Sequence, residues 1–196
     1  MDEDQIFETI PDGFDWGITF FAANYHSVAM FAWDQDKSSK KLIIDDDQLT
    51  VKVKDGSGFK TSFGDQVSLV ELSKFIQPFN EGGRYYFQVQ LNQGNLVKIG
   101  VSRKDILSDS AFSDTSTGWA IYNGELRHNS NSSGPKYGSS IQAGDVIGGT
   151  LSFSKNGRNW GVAFKDEELK KGTLFPAVAP IYSGDSYSIR RPTPED

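Results

Sequence analysis

Tyr85-Tyr86-Phe87-Gln88-Val89-Gln90-Leu91 alternates apolar and polar residues, passes through Asn92-Gln93-Gly94-Asn95, and resumes as Leu96 to Val101. A period of two in β-branched and aromatic residues marks a strand, and a short polar, glycine-containing break between two such runs marks an antiparallel return. Within the first run Phe87, Val89 and Leu91 share one face. The signature recurs outward in both directions. Leu49-Thr50-Val51-Lys52-Val53 precedes Asp55-Gly56-Ser57-Gly58, Trp119 to Tyr122 precedes Asn123-Gly124, and Thr150 to Ser154 precedes Asn156-Gly157. Gly161 to Phe164 follows, and after Ser183-Gly184-Asp185 comes Tyr187 to Ile189. Asn-Gly pairs supply the two positive φ angles of a tight hairpin turn. Helical patterning is thin: Val67 to Phe75 reads as a short helix and Asp166 to Lys171 as a single turn. Many short strands separated by turns predict an all-β antiparallel sandwich or barrel.

Composition narrows the function. The chain has 196 residues, 37% of them hydrophobic and 25 aromatic (14 Phe, 7 Tyr, 4 Trp), enough apolar volume for one real core. Lys and Arg number 20 against 26 Asp and Glu, a net charge of -6. That balance argues against a nucleic-acid binder, which needs a basic face, and against a polybasic membrane-surface protein. No cysteine is present, which excludes disulfides, thiolate metal sites and thiol catalysis, and fits an intracellular, cytoplasmic or nuclear setting. Met1-Asp2-Glu3-Asp4 is acidic where a secretory signal is basic. Residues 1–15 read as an acidic extension, 16–190 as one domain and 191–196 as a tail. The uncharged stretch from Trp16 to Trp33 contains Asn24 and His26 and reads as buried strands rather than a spanning helix.

Catalytic constellations are scarce. His26 and His128 are far apart in sequence, and His128, at the end of Glu125-Leu126-Arg127-His128-Asn129, reads as a structural hydrogen-bonding residue. There is no G-x-S-x-G, no P-loop, and Gly56-Ser57-Gly58 lacks the third glycine of a dinucleotide site. Asp45-Asp46-Asp47 lies between two apolar runs and reads as a solvated hairpin loop rather than a calcium site. Neither a metal nor a cofactor is expected. A sandwich glycosidase would need two carboxylates facing across a cleft, and no strand alternates Asp and Glu to supply them.

Eight blocks in order resemble the SPRY domain family. They are Gly83-Arg84-Tyr85-Tyr86-Phe87-Gln88-Val89, Val97-Lys98-Ile99-Gly100-Val101-Ser102, Gly118-Trp119-Ala120-Ile121-Tyr122-Asn123-Gly124 and Leu126-Arg127-His128-Asn129. Gly144-Asp145-Val146-Ile147-Gly148, Thr150-Leu151-Ser152-Phe153-Ser154-Lys155-Asn156-Gly157, Gly161-Val162-Ala163-Phe164 and Leu174-Phe175-Pro176-Ala177-Val178 complete the set. Upstream, Trp33 with Lys37-Ser38-Ser39, then Leu49-Thr50-Val51, looks like the family's first strand pair. Trp119 and Phe153 read as core residues, and Gly100 and Gly148, inside strands, as sites of close packing or of a bulge.

The resemblance implies a two-sheet, concanavalin-like β-sandwich without catalytic activity, binding a protein or peptide partner through loops at one rim. It implies a recruiting or assembly role inside a larger protein, of which ubiquitin-ligase substrate recruitment is one family example. Carried over by position, the partner-binding residues are Lys37, Ser38, Asn95, Phe112, Tyr182 and Ser183, with Tyr182 read either as the aromatic anchor or as a half-buried loop residue. A sandwich-fold carbohydrate-binding domain or glycosidase is the alternative, because related architectures host lectins. One departure stands out. Gly148-Gly149-Thr150 joins two blocks that relatives separate by about a strand's worth of chain. Either the junction is a very short hairpin, or a strand is absent and an open edge near Gly148 invites self-association or cover from the Trp16 to Trp33 stretch.

Overall fold

The structure, a computed structural model, describes residues 18–21, 24–28, 31–65, 84–149, 152–171 and 173–190. Fifteen strands are formed among them: β1 (Ile18–Phe21), β2 (Asn24–Val28), β3 (Leu42–Ile44), β4 (Thr50–Val53), β5 (Ser62–Phe63), β6 (Arg84–Tyr86), β7 (Gln88–Gln93), β8 (Val97–Ser102), β9 (Gly118–Tyr122), β10 (Glu125–Arg127), β11 (Val146–Gly149), β12 (Ser152–Lys155), β13 (Arg158–Val162), β14 (Phe175–Pro180) and β15 (Ser186–Arg190). Two antiparallel sheets carry the fold. One has seven strands in the order β13-β12-β11-β7-β15-β4-β3, the other five in the order β10-β9-β8-β14-β5. The hairpin β1–β2 joins β6 in a small third sheet, where β2 runs parallel to β6.

Sequence alternation explains which faces meet. Phe87, Val89 and Leu91 are buried, and they share one core cluster with Val51, Val53, Ile147, Phe153, Tyr187 and Ile189 of the seven-stranded sheet. From the five-stranded sheet Val97, Ile99, Val101, Trp119, Ile121 and Val178 enter the same cluster, so the main core is the space between the sheets. Every residue of β8 is buried, however, including Lys98 and Ser102. The reason is a second, smaller cluster on the outer face of the five-stranded sheet, made of Phe63, Ala111, Phe112, Ala120, Ala177 and Ala179. The small side chains on that face leave room for Phe112, which a 3-10 turn (Phe112–Asp114) lays across them.

The turns follow their residues. Asn123-Gly124 and Asn156-Gly157 both have positive φ at each position, which closes β9–β10 and β12–β13. Because Lys155 pairs with Arg158 directly across the second turn, β13 begins at Arg158 and ends at Val162, three residues earlier than the expected Gly161 start. The single turn expected at Asp166 to Lys171 forms as Glu167–Lys170, with Asp166 as its cap. Asp45-Asp46-Asp47 sits in the loop between the paired strands β3 and β4, and no acidic cluster among the described residues could hold a metal ion. The expected helix at Val67 to Phe75, the extension 1–15 and the tail 191–196 lie outside the described residues. No helix among the described residues is long and apolar enough to cross a membrane.

Of the two readings of the Gly148 junction, the ladders support the hairpin over the open edge. Gly148 pairs with Gln88 of β7 on one side and Ser154 of β12 on the other, so β11 is an interior strand. The short junction is therefore a hairpin, and the two glycines end β11 instead of leaving it unpaired. The Trp16 to Trp33 stretch does form strands, β1 and β2, and they add to β6 rather than to β11.

Candidate functional site

One end of the five-stranded sheet gathers four loops. Val97, the first residue of β8, pairs with Pro180, the last of β14, and Ile99 pairs with Ile121 near the Asn123-Gly124 turn. The Lys60 amide donates to the Pro180 carbonyl at 3.2 Å, which brings the 54–60 loop to the same end. Register also fixes what faces outward there. Ala179 pairs with Lys98, and one step beyond the Ile99–Ile121 pair Lys98 stands beside Tyr122, so these side chains share the sheet's outer face.

Around Lys98 the rim is aromatic. The Lys98 ammonium lies 4.5 Å from the centroid of Phe59 and 5.9 Å from that of Tyr122, and it forms an ion pair with Asp114. Phe59 and Tyr122 meet edge to face at 5.5 Å. Arg127 stacks against the other part of the same cluster, its guanidinium carbon 5.4 Å from the Tyr122 ring, and its Nη2 is 2.8 Å from Glu125. Such cation–π contacts gain strength where water is excluded, and Lys98 is 1% exposed. Burial pulls the Lys98 ammonium below the ordinary lysine range, against the opposing pull of Asp114. Burial likewise pushes the Tyr122 phenol up, a shift that Arg127 opposes and Tyr182 reinforces.

Tyr182 completes this end of the sheet and is half exposed at 50%. Its turn is closed on itself: the Tyr182 amide donates to Asp185 Oδ2 at 3.2 Å, and the Asp185 amide returns to the Tyr182 carbonyl at 3.1 Å. The Val53 amide donates to the Asp185 carbonyl at 2.9 Å and the Gly184 amide to the Val53 carbonyl at 3.1 Å, which anchors the turn to β4. Asn95 belongs to the neighbouring turn. There Gly94 has φ +97°, and a Cβ on it would lie 2.4 Å from Asp185 Oδ1 and 2.7 Å from the Tyr187 hydroxyl, so the Asn95 turn is seated directly on the Tyr182 segment.

Of the six expected binding residues, the structure therefore brings Asn95, Tyr182 and Ser183 together, all exposed. Lys37 is exposed as well, but its loop is fastened along β5: the Asp34 amide donates to the Phe63 carbonyl at 2.7 Å and Ser38 Oγ meets Ser62 Oγ at 2.9 Å. Ser38 and Phe112 stand apart from these: both are buried, Ser38 by its contacts with β5 and Phe112 by the small residues of the outer face. Phe59, Tyr122 and the two cations behind them were not anticipated. Their available signal was an aromatic residue abutting a turn, Phe59 after Gly56-Ser57-Gly58 and Tyr122 before Asn123-Gly124.

Elsewhere, His128 has the structural role expected of it. Its Nδ1 lies 2.9 Å from the Gly118 carbonyl, and its ring stacks on Trp119 at 4.8 Å with 8° between planes. Among the carboxylates at this end, Asp114 and Glu125 are each paired with a cation, and Asp185 accepts from the Tyr182 amide.

Comparison with known proteins gives a consistent picture. A family model for the SPRY domain matches residues 84–193. An ATP-dependent RNA helicase, Ddx1 of Drosophila melanogaster, is 32% identical over 104 residues, which is 49% of this chain and 14% of that protein. The crystal structure of the SPRY domain of human HERC1 is similar at a TM-score of 0.58 and 23% identity, covering 81% of this chain and 97% of that one. A second human SPRY domain structure has a TM-score of 0.56 at 19% identity, covering 79% and 97%.

Proposed function

Because the chain belongs to the SPRY domain family, whose members are generally protein-interaction modules, we propose that its activity is binding rather than turnover. The site is the loop rim built by Phe59, Asn95, Tyr122, Tyr182 and Ser183, and the ligand is a peptide segment of another protein. One observation carries this reading. A half-exposed tyrosine stands on a turn closed by its own hydrogen bonds, beside aromatic rings backed by buried cations. A rigid aromatic surrounded by small polar groups is the composition of an interface hot spot, since little conformational entropy is lost when a partner covers it. In the wider protein such a rim recruits or assembles partners.

The test begins with a peptide selected on the wild-type chain from a displayed random library. Tyr182→Ala is expected to weaken that peptide roughly 30-fold, the equivalent of about 2 kcal/mol, with the melting temperature nearly unchanged. A lowered melting temperature would make Tyr182 a core residue, and unchanged affinity with an intact fold would remove it from the site.

A further inference from the structure

Lys60 is 1% exposed, yet among the described residues no carboxylate lies within ion-pair distance of its ammonium. Its Nζ donates instead to three main-chain carbonyls: Gly58 at 2.6 Å, Ile181 at 2.9 Å and Gly56 at 3.4 Å. An ammonium has three donors and no acceptor, so these three contacts use its capacity in full. They also join two loops far apart in sequence, the one that carries Phe59 and the one that carries Tyr182.

The ends of the first loop have other ties, Ser183 Oγ to the Lys54 carbonyl at 3.3 Å and the Lys60 amide to the Pro180 carbonyl at 3.2 Å. Its tip, residues 55–58, has little besides the Lys60 ammonium to hold it. Gly56 and Gly58 have φ of +79° and +93°, and a Cβ on either would meet nothing within 4 Å, so neither position is fixed by packing. A glycine-rich loop left free samples many conformations, and ordering it on binding would oppose affinity. We propose that Lys60 is a positioning residue, whose buried ammonium fastens the 56–58 loop to Ile181 and so sets the spacing between Phe59 and Tyr182 before any partner arrives. The proposal rests on the reading of this rim as the binding site, but its test needs no partner.

The measurement is amide hydrogen exchange on the unliganded chain and its Lys60→Met variant, which keeps an unbranched stem and removes the donors. Exchange of the Lys54 and position-60 amides, which donate to the Lys41 and Pro180 carbonyls at the two ends of the loop, is expected to quicken about tenfold or more, with a smaller rise at Tyr182, whose bond to Asp185 persists, and no change in β8. Equal acceleration in β8 would make Lys60 a general stability residue, and no acceleration in either loop would show that the ammonium fastens nothing; each result overturns the proposal. Should Lys60→Met fail to fold, the wild-type lysine ammonium spectrum decides. A slowly exchanging Lys60 signal is expected, and ammonium protons exchanging as fast as those of an exposed lysine would overturn the assignment.

Discussion

Phe112→Ala is expected to lower the stability of the fold by about 3–5 kcal/mol. The side chain is fully buried on the outer face of the five-stranded sheet, against Phe63, Ala111, Ala120, Ala177 and Ala179. Its backbone is tied on both sides. The Phe112 amide donates to Thr61 Oγ1 at 3.1 Å, and its carbonyl accepts from Thr115 Oγ1 at 2.8 Å. A turn fixed in this way cannot settle into the space a truncated ring leaves, and the alanines opposite have no reach with which to fill it, so the cavity remains. Denaturant titration measures the loss. A change below about 1 kcal/mol would mean the ring is not seated as described. The same experiment separates the two roles considered for this residue, because a partner-contacting phenylalanine would affect affinity far more than stability.

Gly100→Ala is expected to cost about 3 kcal/mol, at the upper end of what added core volume usually costs. A Cβ on Gly100 would lie 1.9 Å from the Trp119 carbonyl oxygen and 2.8 Å from the Ala120 Cα, both of them backbone atoms of the paired strand β9. Side chains can rotate away from an intruding methyl, but a laddered backbone cannot. On its other edge β8 is paired along its length with β14, so a shift away from β9 has nowhere to go. Thermal denaturation of the variant against wild type reads the effect, and a variant as stable as the parent would contradict this account of the central sheet.

Much of the fold is legible in the residues because each level points the same way. Alternation in Phe87, Val89 and Leu91 names the inner face of β7 and of the residue just before it, and the Asn-Gly pairs close their hairpins at the expected places. What alternation cannot reveal is a second layer. In Val97-Lys98-Ile99-Gly100-Val101-Ser102 nothing in the alternation shows that the 112–114 turn and Phe59 cover the even positions. The burial of Phe112 has the same origin: a loop position carries no sign that this loop folds back onto the sheet. The buried lysines were equally hidden, since Lys60 and Lys98 are neutral to any pattern until the carbonyls and rings that receive them are in place. The Gly148 junction read as a possible gap because a family spacing was shortened; only the ladders on both sides show the strand is satisfied.

The account stands most directly on where a ligand touches. In amide chemical-shift mapping with the selected peptide, the largest changes are expected at Phe59, Asn95, Tyr122, Tyr182 and Ser183, with Lys37 and the β13 edge unmoved. Shifts centred on Lys37, on β13 or on the Asp34 end of β5, with the Tyr182 turn silent, would contradict it.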